Sequence, residues 1–271
     1  MAKRRSQITE ALAAPMPAPL AATGVRNGAG RRSAILRQAI AEFAREGVAG
    51  ARTAAIADAA GVNKALLYYY FKDKESLYSA VLHSVFSGLA EDVLPMLEGP
   101  LTPGEKVLRF ARAHFEYLIR NPNYPRLIQQ ELSRARIVSD LAGDGGVNPG
   151  EPLRDFQGDF RAISRLHFIP LQRAGVKAIE EGIAAGEFRK VPGPGTLSVI
   201  LAMNVFYFSS APIMRMVRGV DPFSAQSIRG QIAMSLDFIG ASLFADRNKG
   251  IRLASKIAGA RWALPRGKQG K

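Results

Sequence analysis

The chain has 271 residues, 47% of them hydrophobic, which suffices for one large domain or two modest ones. It has no cysteine, so disulfides and thiolate metal sites are excluded, and that fits a reducing, cytoplasmic setting. The net charge of +14 sits mostly at the ends: residues 1–32 hold six Lys/Arg against one Glu, and residues 246–271 hold eight against one Asp.

Residues 1–30 are rich in Ala, Pro and Gly without sustained periodicity, so a disordered basic arm is expected. Its Lys3, Arg4 and Arg5 are followed by no apolar stretch, which argues against secretion. A first helix over about 33–46 places Ile35, Ile40, Phe43 and Ala44 near one face, with Gly47 closing it. Thr53 reads as the N-cap of a short alanine-rich helix ending at Gly61, a residue free to take the left-handed conformation of a tight turn. Asn63 is a cap for a second short helix in which Leu67 and Phe71 face inward. That helix would present Asn63, Lys64, Ala65, Tyr68 and Tyr69 outward. A small residue at 65 permits close approach, and the others can bond phosphates and base edges in a major groove. A plain helical hairpin with aromatic packing is the competing reading of the same spacing.

Thr53, Ile56, Ala57, Ala60, Gly61, Val62, Lys64, Leu67, Tyr68, Tyr69, Phe71, Lys74 and Leu77 together resemble the amino-terminal domain of the tetracycline-repressor (TetR) family. Residues 35–47 are similar to that family's first helix and closing glycine. One departure is Tyr70, where the family often has histidine. The resemblance implies an all-α protein: a three-helix helix-turn-helix DNA-binding domain over 31–78, then a helical ligand-binding and dimerisation domain over 79–245. It also implies that Thr53, Tyr68 and Lys74 bind phosphates while Asn63, Lys64, Ala65 and Tyr69 lie in the groove. Lys74 opens the next helix, where a cation beside the positive helix end is unfavourable unless a phosphate binds there.

That next helix should run to about Leu97 with Leu77, Val81 and Val85 inward, with no membrane span expected in the chain. Pro103 opens another to Arg120, and 126–138 forms a further one before a glycine-rich loop at 143–150. A helical run over about 152–185 contains Pro170, which should kink it. Two last helices, about 195–217 and 222–245, carry apolar stripes: Leu197, Ile200, Leu201, Val205 and Phe208 on one, Ile232, Leu236, Ile239 and Leu243 on the other. The resemblance implies that these two helices pair with their copies in a homodimer, which would read a palindromic operator in double-stranded DNA. Burial within one subunit is the alternative for the same stripes. Residues 246–271 read as a basic tail, able to supply salt-sensitive attraction to phosphate or simply to be solvated.

No constellation for catalysis stands out. His83, His114 and His167 fall in no metal-ligand spacing, and Gly143 to Gly146 open onto no phosphate-loop lysine, so neither enzyme activity, cofactor nor metal is expected. A cavity for an unidentified small-molecule effector would draw on Phe86, His114, Phe115, Leu118, Tyr124, Phe160, His167, Met203 and Tyr207, each of which also suits ordinary core packing. The chain therefore reads as a transcriptional regulator, a repressor released from its operator by a ligand. The competing readings are a DNA-coating or architectural protein of this fold, and a small-molecule binder or enzyme with a vestigial helix-turn-helix.

Overall fold

The computed structural model describes residues 23–134 and 162–260. The described residues form helices joined by short turns, with one isolated bridge between Phe188 and Phe244. The first helix, α1 (Thr23–Gly50), starts earlier than the boundary at residue 30 expected for a disordered arm, and Gly47 interrupts it at φ 67°. Next come α2 (Thr53–Ala59) and α3 (Lys64–Tyr70), which pack on α1 through Ile35, Phe43, Ile56 and Leu67, each at most 1% exposed. Residues 1–22 and the glycine-rich loop at 143–150 lie outside the described residues.

The body is organised around α4 (Lys74–Glu98), α5 (Pro103–Arg120) and α6 (Tyr124–Arg134). Asp73 caps α4 by accepting from the Ser76 amide at 2.7 Å. Thr102 and Glu105 form a reciprocal capping box at the start of α5. By length and composition α4 could cross a bilayer. Its ten buried residues, from Leu77 to Leu97, lie instead in the core shared with α1 and α5. Beside that apolar core, two polar bonds also join the amino-terminal unit to the body. Tyr78 on α4 donates to Glu131 on α6 at 2.6 Å, both buried, and Gln130 Nε2 donates to the Ala44 carbonyl of α1 at 3.2 Å.

Pro170 acts by a route different from a simple kink. Residues Ser164–Phe168 make a π-helical turn, in which the Ile169 amide reaches back to the Ser164 carbonyl, and α7 (Ile169–Ala184) follows with proline in its first turn. A proline has no amide to give, and the widened turn rearranges the bonds immediately before it. The helix expected over 195–217 is two: α8 (Gly193–Ser209) and α9 (Ala211–Arg218), bent by 60°. Pro212 falls in the first turn of α9, and the Ser210 hydroxyl donates to the Phe206 carbonyl beside the bend. Gly219, at φ 63°, terminates α9.

Helix α10 (Ala225–Leu243) is followed by α11 (Arg247–Gly259), so much of the expected basic tail is a packed helix. Two glycines explain the closeness of that packing. A Cβ on Gly240 would fall 2.5 Å from the Gly250 carbonyl oxygen, and a Cβ on Gly250 would fall 2.2 Å from that of Gly240. Arg112 on α5 holds the far end of α11, donating to the carbonyls of Ile257 and Ala260 while pairing with Glu116.

The apolar stripes of α8 and α10 also correct an expectation. Leu197, Ile200, Phe208, Ile232, Leu236, Ile239 and Leu243 are buried inside the subunit, and Leu201 and Val205 are partly buried against the same core. The faces left exposed are different ones: Val199 and Phe206 on α8, Met234 and Phe238 on α10, at 57–70% exposure.

Candidate nucleic-acid interface

Gly61 makes the sharp turn between α2 and α3. Its φ of 67° is open to glycine, and the Val62 amide closes the turn on the Ala57 carbonyl at 3.0 Å. Asn63 then caps α3, its Oδ1 accepting from the Leu66 amide at 2.7 Å. With that oxygen engaged internally, the side-chain NH2 of Asn63 is its free donor for an outside partner. With Leu67 fully buried, the helical period turns Lys64, Ala65, Tyr68 and Tyr69 to solvent. Tyr69 is 80% exposed, far more than a ring of its size needs for packing.

Thr53 is not the N-cap. That position belongs to Arg52, whose amide is taken by the Glu42 carboxylate at 3.2 Å, and Thr53 is the first helical residue. The Thr53 hydroxyl instead lies 3.0 Å from the Tyr68 hydroxyl. The Lys64 ammonium stands 5.8 Å from the centre of the Tyr68 ring, a cation–π contact. Thr53, Lys64 and Tyr68 therefore form one polar group across two helices, and Tyr69 lies against Tyr70 with ring centres 5.3 Å apart.

Lys74 has a local partner that the spacing of residues did not reveal. Its ammonium donates to the Ala49 carbonyl at 3.0 Å, near the end of α1. A cation there is favourable, and this contact relieves the conflict with the amino-terminal end of α4. Glu42, missed as a site-building residue, is 8% exposed and bonds both Arg45 and the Arg52 amide. Burial pushes its carboxyl up, but the bonds and charges of Arg45 and Arg52 outweigh that and hold it below the usual carboxylate range. An acidic residue ten positions ahead of its amide partner carries no local signal of this role. Arg32 adds a further cation beside the unit, its guanidinium 5.1 Å from the centre of the Phe71 ring.

The residues expected to line an effector cavity divide among separate clusters. Phe86 and Tyr124 stack edgewise 5.5 Å apart, and Phe86 also meets Phe168. Phe115 and Tyr207 form another cluster with Phe208, and the Tyr207 hydroxyl donates to the Pro222 carbonyl at 2.6 Å. Leu118 is fully buried, Met203 is partly buried against the core, and Phe160 lies outside the described residues. Buried His114 accepts at Nδ1 from the Asn204 side-chain Nδ2 at 3.1 Å, and burial lowers its pKa to about 4, so it is neutral near pH 7. His83 and His167, distant in sequence, meet edgewise with ring centres 4.9 Å apart.

Comparison with known proteins agrees with this geometry. Residues 35–81 match the family model described as bacterial regulatory proteins, tetR family. The chain is 28% identical over 161 residues to the HTH-type transcriptional repressor KstR2 of Mycolicibacterium smegmatis, covering 59% of this chain and 69% of that protein. It is 32% identical over 126 residues to the HTH-type transcriptional regulator RutR of Escherichia coli K12, covering 45% of this chain and 59% of that protein. Among solved structures, the ketosteroid transcriptional regulator KstR2 of Mycobacterium tuberculosis aligns with a TM-score of 0.56 at 19% identity, over 80% of this chain and 96% of that one. A regulator from Streptomyces coelicolor, SCO4942, aligns with a TM-score of 0.54 at 21% identity, over 77% and 97%. These structural likenesses establish the shared fold of helix-turn-helix and helical body. The curated relatives carry the names of regulators, not enzymes, in keeping with the non-catalytic expectation.

Proposed function

We propose that this chain, whose residues 35–81 match the tetR family of bacterial regulatory proteins, is a sequence-specific DNA-binding repressor of that family that a small-molecule effector releases. The observation that carries the reading is the outward presentation of Lys64, Ala65, Tyr68 and Tyr69 on a helix whose opposite face is locked by buried Leu67. In this reading Thr53, Tyr68 and Lys74 hold phosphates, while the Asn63 amide, Lys64, Ala65 and Tyr69 meet base edges in the major groove. The domain division that goes with it places DNA recognition in 31–78 and effector binding and dimerisation in 79–245, in a cytoplasmic protein.

Val199, Phe206, Met234 and Phe238 support a homodimer. They are large apolar side chains exposed on α8 and α10, and such surfaces on a soluble chain mark interaction sites. A two-fold dimer built on them would set two α3 helices on a palindromic operator. An effector lodged in the helical body would release DNA by binding better to a conformation with those helices wrongly spaced. The test is selection of fragments from random DNA by the full chain. A sharp palindrome is expected; retention of all sequences alike would favour an architectural role and overturn the regulator reading.

A further inference from the structure

A cleft of about 630 Å³ opens where the helix-turn-helix unit meets the body. Its walls are the end of α1 around Gly47, the first turn of α4 with Lys74 and Glu75, and the edge of α6 with Arg126, Gln129 and Gln130. The volume suits a small molecule. It is distinct from the aromatic clusters in which an effector cavity is expected, since none of those residues lines it.

One wall holds an acceptor without a donor. The Gln130 Nε2 donates to the Ala44 carbonyl at 3.2 Å, whereas Oε1 is buried and has no hydrogen-bond partner. Exchanging the two amide atoms would set oxygen against oxygen at Ala44, so the orientation is fixed by the network. A buried acceptor left in this state is unfavourable until a donor arrives. The helical segment of α1 ends at Gly47, bringing the negative end of its dipole to the same wall, opposite the first turn of α4 and Arg126. Lys74 spends a hydrogen bond on the Ala49 carbonyl, and Glu75 has no ion pair among the described residues.

We propose that this junction cleft binds a small organic ligand through a primary amine or amidine, its donor on Gln130 Oε1 once that side chain turns out of the wall, and its charge against Glu75. Occupancy would act on the Gln130–Ala44 tether and so on the angle between the helix-turn-helix unit and the body. This second step rests on the DNA-binding reading above; the binding itself does not.

The test uses the full chain and two probes of equal length and opposite character, 1,4-diaminobutane and succinate, in titration calorimetry. Saturable binding of the diamine, at least tenfold tighter than that of succinate, is expected. Gln130→Met, similar in volume but without the acceptor, and Glu75→Gln should each weaken it about tenfold, with circular dichroism checking that each variant is folded. No saturable diamine binding, equal binding of succinate, or affinity unchanged in both variants would overturn the site. Fluorescence anisotropy on a selected DNA fragment reads the second step: the diamine should shift the affinity of the wild type at least threefold more than that of Gln130→Met, which removes its direct effect on DNA. Equal shifts would refute the coupling while leaving the site. If no DNA fragment is selected, the DNA-binding reading fails and calorimetry still decides the cleft.

Discussion

The hydroxyls of Thr53 and Tyr68 lie 3.0 Å apart, joining the first turn of α2 to the exposed side of α3. Two groups proposed to grip phosphates thus also fix each other's position. Tyr68→Phe removes the bond at an exposed site and should leave the melting temperature nearly unchanged, while operator affinity falls by roughly 1 kcal/mol. Anisotropy titration on a selected operator checks it; unaltered affinity would show that the hydroxyl pair faces away from DNA.

Lys64→Ala removes both a charge from the outward face and the contact over the Tyr68 ring. Its expected cost in operator affinity is about 1–3 kcal/mol if the lysine reads a base. Were it on a phosphate instead, binding would weaken evenly across sequences and the salt slope would fall by about one. Titrations at several salt concentrations, on operator and on unrelated DNA, separate the two.

Glu42 makes a pH prediction with a definite sign. Its carboxyl titrates below the ordinary value of 4.5 in the folded chain. The folded state therefore gains from this group above about pH 4.5, and loses that gain as pH falls through the lowered value. Glu42→Gln should lower the melting temperature at pH 7 and shrink its gap to the wild type toward pH 3. A constant gap across that window would mean that the ionised form carries no special stability.

Gly240→Ala places a methyl group 2.5 Å from the Gly250 carbonyl oxygen, a backbone atom that cannot swing aside. Overpacking of this kind typically costs about 1–3 kcal/mol. Chemical denaturation should show a lower midpoint, whereas the same change at exposed Gly230, with open space around it, should show little.

Phe206→Glu or Phe238→Glu alters residues exposed by 70% and 57%, so neither should unfold the subunit. Sedimentation should show the dimer giving way to monomer, with operator affinity falling alongside it. A variant that stays dimeric would move the interface elsewhere.

The amino-terminal half was the more legible in sequence because its signals are local. Gly61 needs one conformation, Asn63 caps the residue three ahead, and Leu67 sets the buried face of α3. What escaped reading depends on distant partners: the Glu42 carboxylate on the Arg52 amide, Lys74 on Ala49, and Tyr78 on Glu131. The stripes of α8 and α10 show a different limit. Each helix is apolar on more than one side, so periodicity alone could not say which side faces inward, and the side named for the dimer is the core. The expected tail misled through composition. The charges of Arg252 and Lys256 stay exposed while Ala254 and Ile257 between and beyond them pack inward.

The seating of α11 bears on how the chain can be cut. Shortening it at Asp246, as its basic composition invites, would strip the neighbour from Gly240 and leave the Arg112 guanidinium without the Ile257 and Ala260 carbonyls. Such a fragment would expose a fresh greasy strip on α10 and tend to clump. Loss of operator affinity in that fragment would then report spoiled protein, not a missing electrostatic handle, and any trimming meant to probe the charges beyond should begin after residue 260.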